Sequence, residues 1–227
     1  YCIIGAGAAG LAALKTLTDA GFRVDCFEKS GRIGGHWNTD YDALHLITPK
    51  SSSFFDGFPM PADYPVYPSR DQVKAYMNAY TDTFGLREKI TFDTEVRSLT
   101  PLDDNGEGGW QVTLADGRSR RYAGVLVANG HLWDCKIPEV GQGFTGVSVH
   151  SGEYRNVQQL HGKVLVVGFG NSGCDLAVDA GRITEVYPPA ETFLNASARS
   201  LVGQPLLDRL SIDAPMDEAL ARARANQ

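Results

Sequence analysis

No C-x-x-C or C-x4-C pair occurs in this sequence, and no run of 18 apolar residues. Its four cysteines, Cys2, Cys26, Cys135 and Cys174, are scattered. That argues against a paired-thiol redox centre, a disulfide framework and a zinc or other metal site, and it is expected of reduced thiols in a cytoplasmic protein. The missing apolar run argues against a helical membrane span, and no signal peptide is visible. Positive charge is in deficit: 21 Lys and Arg against 27 Asp and Glu give a net charge of −6, with a pI of about 5.3. A nucleic-acid surface is therefore not expected. Low-complexity stretches are absent. An initiator Met is also missing, and the chain opens inside an apolar run, as expected of a clipped start. What remains is ordinary globular composition, 43% hydrophobic and 21% charged over 227 residues, enough for a sizeable core.

The pattern along the chain predicts an α/β fold. "YCIIGAG" reads as a short buried strand ending in a glycine turn, and "AAGLAALKTLTDAG" as an Ala/Leu-rich helix stopped by Gly21. "FRVDCFEKS" reads as a second strand. In residues 70–85, Val73, Tyr76, Met77, Tyr80 and Phe84 recur at helical spacing. "ITFDTEVRSLTPL", "GWQVTLADG" and "RRYAGVLVANG" are strand-like and separated by the turn signals "DDNGEGG" and "ADGR". They predict an antiparallel meander over about 90–122 that leads back into an apolar strand. "KVLVVGFGNSGCDLAVDAG", residues 163–181, then repeats the opening: apolar strand, glycines, Ala-rich helix.

Each opening carries G-x-G-x-x-G. In such a loop the first Gly makes the tight turn, the second lets backbone approach a pyrophosphate, and the third lets helix and strand pack closely. The helix N-terminus then offers N–H groups and positive dipole to the phosphates. Gly5, Gly7 and Gly10 fit, with Ala6, Ala8 and Ala9 between them. Glu28 closes the next strand 18 residues later, suited to accept hydrogen bonds from ribose hydroxyls. Gly168, Gly170 and Gly173 repeat the spacing, with Asn171, Ser172, Cys174 and Asp175 around the helix start. Two loops separated by a meander predict FAD on the first and NAD(P)H on the second; a packing loop is the alternative for either.

Residues between the loops sharpen this. "FTGVSVHSGEYR" fits F-x-G-x-x-x-H-x-x-x-Y-R at Phe144, Gly146, His150, Tyr154 and Arg155. "GRIGGHW" follows Glu28, and "LVANGHLWDCKIP" is similar to A-T-G-x-x-x-x-P-x-x-P with Asn129 in place of Thr. This stretch, residues 1 to about 180, closely resembles the flavin-containing monooxygenases, the class B flavoproteins. Related Baeyer–Villiger enzymes carry Trp where this chain has Tyr154. "YDALHL", "FPMP" and "YPVYPSRDQVKAY" are also similar to the plant auxin-forming branch, which decarboxylates a 2-oxo acid oxidatively.

The resemblance implies two dinucleotide-binding (Rossmann-like) domains, the second inserted in the first. The expected division is an FAD-binding domain over 1–155 and an incomplete NAD(P)H-binding domain over 156–227. It implies FAD, NADPH (or NADH) and O2, with oxygenation of a small organic substrate through a C4a-hydroperoxyflavin. The flavin would carry the chemistry, so no catalytic side chain is expected. Gly5 to Gly10 and Glu28 would hold FAD, His36 and Trp37 would contact the flavin, and Thr48 would lie beside it. The second loop, from Gly168 to Asp175, would contact the nicotinamide dinucleotide. His150 is expected to be structural. Cys174, at a helix start, invites a lowered pKa, although a buried small residue is preferred there.

Two departures matter. Ile47 stands where many members carry an Asn near the flavin, and an apolar side chain cannot make its hydrogen bonds. "ITEVYPP" offers no arginine to read a 2′-phosphate, and the closing segment of the FAD domain is not recognisable. An NAD(P)H oxidase or reductase, a 2-oxo-acid decarboxylase and a non-enzymatic flavin-binding module remain as alternatives, and the chain leaves a homo-oligomer open.

Overall fold

The computed structural model describes residues 1–104, 107–137, 143–168 and 170–181. It contains two compact units: Tyr1–Thr39 with Lys50–Lys136, and Asp40–Pro49 with the chain from Ile137 onward.

The first unit is built on strands β1 (Cys2–Ile4), β2 (Asp25–Phe27), β3 (Ile90–Thr91) and β7 (Val125–Val127). They form one parallel sheet in the order β3-β2-β1-β7, with Ile3 opposite both Cys26 and Leu126. Helix α1 (Ala8–Asp19) joins β1 to β2 and buries Leu11 and Leu14 completely. Burying such a side chain contributes roughly 1.5–3 kcal/mol. An antiparallel meander of β4 (Val96–Pro101), β5 (Trp110–Leu114) and β6 (Ser119–Tyr122) packs against the sheet. Cys2, Phe27, Val112 and Leu114 form the shared core, with Ile4, Val96, Leu99, Tyr122 and Val125 packed on it. Both faces of β1 are thus covered, which is why "CII" is a continuous apolar run and not an alternating one. Asp25 fastens the meander by accepting hydrogen bonds from the Tyr122 hydroxyl at 2.7 Å and from Arg120 at 3.1 Å.

One boundary differs from the pattern. Ile90 and Thr91 pair parallel with Cys26 and Phe27, so the meander begins at Val96. Asp93, at φ 51°, turns the chain between the two sheets. A two-residue strand is too short to show a period of its own.

Helix α2 (Arg70–Thr83) starts at a capping box in which Ser69 Oγ accepts from Gln72 N–H and Gln72 Oε1 accepts from Ser69 N–H. Val73, Tyr76, Met77 and Tyr80 are buried, as their spacing predicts. Tyr76 and Tyr80 stack on Phe55, at 5.5 and 3.9 Å between ring centroids. Tyr76 also donates its hydroxyl to the Phe58 carbonyl at 2.5 Å. Lys50 Nζ donates to the carbonyls of Pro61, Ala62 and Tyr64 at 2.9, 2.8 and 2.5 Å. These bonds give the "FPMP" stretch its shape.

In the second unit, helix α3 spans Asn171–Ala180. The predicted strand before it has no ladder partner among the described residues, and Leu165 and Val167 are exposed. Sequence can set an extended tendency, but a strand needs a neighbour to become part of a sheet. No helix among the described residues is long and apolar enough to cross a membrane.

Candidate dinucleotide-binding sites

The first glycine loop sits between β1 and α1. Gly5 has φ +99°, and a Cβ there would lie 2.5 Å from the Ala128 carbonyl oxygen. A Cβ on Gly10 would collide with the Gly5 carbonyl. These two glycines are therefore demanded by packing. Gly7 is different: it caps α1 at φ −78°, ψ −173°, and no atom of the described residues lies within 4 Å of its would-be Cβ. No side chain caps α1, and its first turn holds no acid. The loop is shaped for an anion approaching backbone N–H groups.

Glu28, 6% exposed, is the buried acid of this site. Its Oε2 accepts from Ala6 N–H at 2.7 Å, and its Oε1 accepts from the Ser30 amide at 2.9 Å and hydroxyl at 2.8 Å. The glycine loop and the carboxylate at the end of β2 are thereby locked together, with acceptor capacity left on the carboxylate. Gly34 donates its N–H to the Ala6 carbonyl at 3.0 Å. This sets the short 3-10 turn Gly35–Asn38 beside the loop, where a Gly35 Cβ would lie 3.7 Å from Gly7 Cα. His36 and Trp37 ride on that turn with ring centroids 5.2 Å apart. Gly5 to Gly10, Glu28, His36 and Trp37 are thus brought together within one unit. Lys29 lies over the Trp133 ring at 3.7 Å in the same unit.

The second loop repeats the first. Gly168 has φ +113°, and a Cβ on Gly173 would lie 2.5 Å from the Gly168 carbonyl oxygen. Gly170 caps α3 at φ −83°, ψ −175°, without a side-chain cap and with open space at its would-be Cβ. Cys174 N–H donates to the Gly170 carbonyl at 3.0 Å, as Leu11 N–H does to Gly7 at 2.9 Å. Burial, with the adjacent Asp175, pushes the Cys174 thiol above its ordinary pKa. Its position at a helix start does not activate it.

Asp175 sits on α3 one turn beyond its first residue. Its Oδ2 accepts the Tyr41 hydroxyl at 2.7 Å. Burial raises the Asp175 carboxyl above the usual range, while the Tyr41 bond and His45 pull it down. Tyr41 stays protonated, its pKa raised by burial and by Asp175. The F-x-G-x-x-x-H-x-x-x-Y-R segment meets the same helix. Tyr154, 2% exposed, donates its hydroxyl to Asp179. His150 Nδ1 accepts from Gly152 N–H at 3.1 Å, and its carbonyl accepts from Glu153 and Tyr154. Arg155 donates to the carbonyls of Gly152 at 3.1 Å and Tyr154 at 2.9 Å. Tyr41 and Asp179 escaped the sequence reading: a phenol 134 positions from its carboxylate leaves no local signal. Ile47, 63% exposed, and Thr48, also exposed, belong to this second unit.

Comparison with known proteins gives the family. The family model for flavin-binding monooxygenase-like proteins matches residues 1–200. Mouse flavin-containing monooxygenase 5 is 37% identical over 196 residues, 78% of this chain and 37% of that protein. The indole-3-pyruvate monooxygenase YUCCA1 of rice is 35% identical over 184 residues, 79% of this chain and 44% of the relative. Among solved structures, a flavin-containing monooxygenase from Stenotrophomonas maltophilia aligns at a TM-score of 0.73 with 27% identity, over 99% of this chain and 66% of that one. The chain thus spans about two fifths of the length of the curated relatives it matches. With its paired glycine loops and with the family model matching residues 1–200, the chain belongs to the flavin-binding monooxygenase-like family.

Proposed function

We propose that this chain is the nucleotide-binding part of an FAD-dependent monooxygenase that uses NADPH and O2. The observation that carries the reading is the repetition of one loop geometry at Gly5–Gly10 and Gly168–Gly173, each ending in an uncapped helix. FAD fits the first loop. The space at Gly7 would take the pyrophosphate, the α1 N-terminus would face its charge, and the remaining acceptor capacity of Glu28 suits a ribose hydroxyl. His36 and Trp37 would flank the flavin end. The second loop, with Asn171, Ser172, Gly173, Cys174 and Asp175, would take NAD(P)H. In this reading the FAD-binding domain runs over 1–155 and the NAD(P)H-binding domain over 156–227.

The flavin, when bound, would supply hydride acceptance and oxygen activation. The chain's own residues bind, orient and shield. Overall, a thioether or amine, NADPH, a proton and O2 give the S- or N-oxide, NADP+ and water. The test is NADPH- and O2-dependent conversion of a simple thioether or tertiary amine, with the oxide measured against NADPH consumed. Oxide formation supports the reading. NADPH consumption yielding only H2O2 would make the protein an oxidase.

A second reading has its own support: the apolar Ile47 and the similarity to an indole-3-pyruvate monooxygenase. A 2-oxo acid would then be decarboxylated oxidatively, and CO2 release from an aryl-2-oxo acid separates the two. The choice of NADPH over NADH follows the resemblance to the flavin-containing monooxygenases, and comparison of kcat/KM for the two decides it.

A further inference from the structure

We infer that Tyr41 is a positioning residue for the second glycine loop: by donating its hydroxyl to Asp175 it sets the bearing of α3, and with it the N–H groups that meet the ligand. The inference rests on the reading of that loop as the NAD(P)H site.

The loop meets α3 closely at Gly173, whose would-be Cβ lies 2.5 Å from the Gly168 carbonyl oxygen. At Gly168 and Gly170 a Cβ would meet no atom of the described residues within 4 Å, and no side chain caps α3. The helix is also held from outside, along one face. Asp175 and Asp179 are four residues apart and so share that face. Asp175 takes the Tyr41 hydroxyl at 2.7 Å, and Asp179 takes the Tyr154 hydroxyl. The two tyrosines are neighbours, with ring centroids 6.4 Å apart. Their segments are stitched together as well. Asp42 N–H donates to the Arg155 carbonyl at 2.8 Å, and Asn156 Nδ2 donates to Asp42 Oδ2 at 2.8 Å. Tyr41 is 4% exposed although it lies in a turn, so the phenol is fixed before any ligand arrives. The Ser172 hydroxyl also faces it from the first turn of α3.

The two anchors divide the work. Tyr154 ties the C-terminal half of α3, which keeps the helix docked. Tyr41 ties the half that meets the dinucleotide. It also directs the Asp175 carboxylate toward the turn at Tyr41, where its charge is met by a donor instead of opposing the phosphates.

The experiment uses the full chain loaded with FAD and measures anaerobic flavin reduction against NADPH concentration. Tyr41→Phe is expected to fold and keep its FAD, with a thermal midpoint lowered by the lost hydrogen bond, while the apparent Kd for NADPH rises about tenfold. Asp175→Leu, which removes the acceptor, is expected to reproduce that weakening. The double variant should bind no more weakly than either alone. An unchanged Kd in Tyr41→Phe, or a Kd loss that only follows loss of FAD and of folding, overturns the inference. A parent protein that NADPH fails to reduce overturns the NAD(P)H reading itself, and the inference falls with it.

Discussion

Gly7 and Gly170 share one backbone conformation, φ −78°, ψ −173° and φ −83°, ψ −175°, each as the N-cap residue of a helix that no side chain caps. Both have open space where a side chain would stand, while Gly10 and Gly173 are each closed against a carbonyl of their own loop. Within each loop, then, one glycine serves packing and another leaves room for a ligand. Substitutions at the two kinds should behave differently.

Gly10→Ala forces a methyl into the Gly5 carbonyl, and overpacking of this kind costs about 1–3 kcal/mol. A lower thermal midpoint is expected even without cofactor. Gly7→Val places its Cβ in space open among the described residues. Its midpoint without cofactor should stay close to the parent's, and the purified protein should be colourless. Full flavin occupancy in Gly7→Val would remove the first loop from the FAD site.

Gly170→Leu is the matching change in the second loop. FAD content is expected to be unchanged, and anaerobic reduction by NADPH to slow at least tenfold at a fixed, subsaturating concentration, about 1.4 kcal/mol of lost binding. Reduction kinetics equal to the parent's would show that this loop serves packing alone.

Glu28 accepts from Ala6 and from two donors on Ser30. Glu28→Gln turns one acceptor oxygen into an amide N–H2 facing donors, which costs about 1–3 kcal/mol. FAD affinity should fall at least tenfold, measured by release of flavin on dilution. Retained affinity together with retained stability would remove Glu28 from both the FAD site and the support of the loop.

Asp175 gives a pH prediction. Its carboxyl is raised above the ordinary value by burial, so the folded chain holds that proton more tightly than the unfolded chain. The stabilisation is complete below the ordinary carboxylate pKa and is lost as pH rises through the folded value. Asp175→Asn carries no such charge. In urea unfolding it should gain stability relative to the parent at neutral pH, with the gain vanishing at acid pH. A variant less stable than the parent at neutral pH would mean that the ionised carboxylate is well solvated.

Ile47→Asn tests the departure at position 47. With an Asn there, as many flavin-containing monooxygenases carry, the fraction of NADPH that ends as H2O2 should fall, by up to about tenfold for one hydrogen bond. An unchanged peroxide yield would mean that residue 47 does not face the flavin.

Much of this was legible because it is local. A glycine loop is specified within six residues, so Gly5–Gly10 and Gly168–Gly173 read directly from spacing, as did α2 from its apolar period. What depended on distant pairing did not read. Ile90 and Thr91 look like the start of a meander and become an edge of the parallel sheet, because Cys26 and Phe27 lie beside them. Val164 to Val167 look like a strand, yet a ladder needs a neighbour as well as a sequence. The Tyr41–Asp175 bond joins an ordinary loop tyrosine to a helix acid far along the chain, and neither residue type announces it.

The most direct test of the account is anaerobic mixing of the purified protein with NADPH while the flavin absorbance is followed. The account predicts a yellow protein that carries FAD and bleaches on mixing, then recovers its colour when O2 is admitted. A colourless protein that cannot be loaded with FAD, or a yellow one whose colour NADPH leaves unchanged, would contradict it.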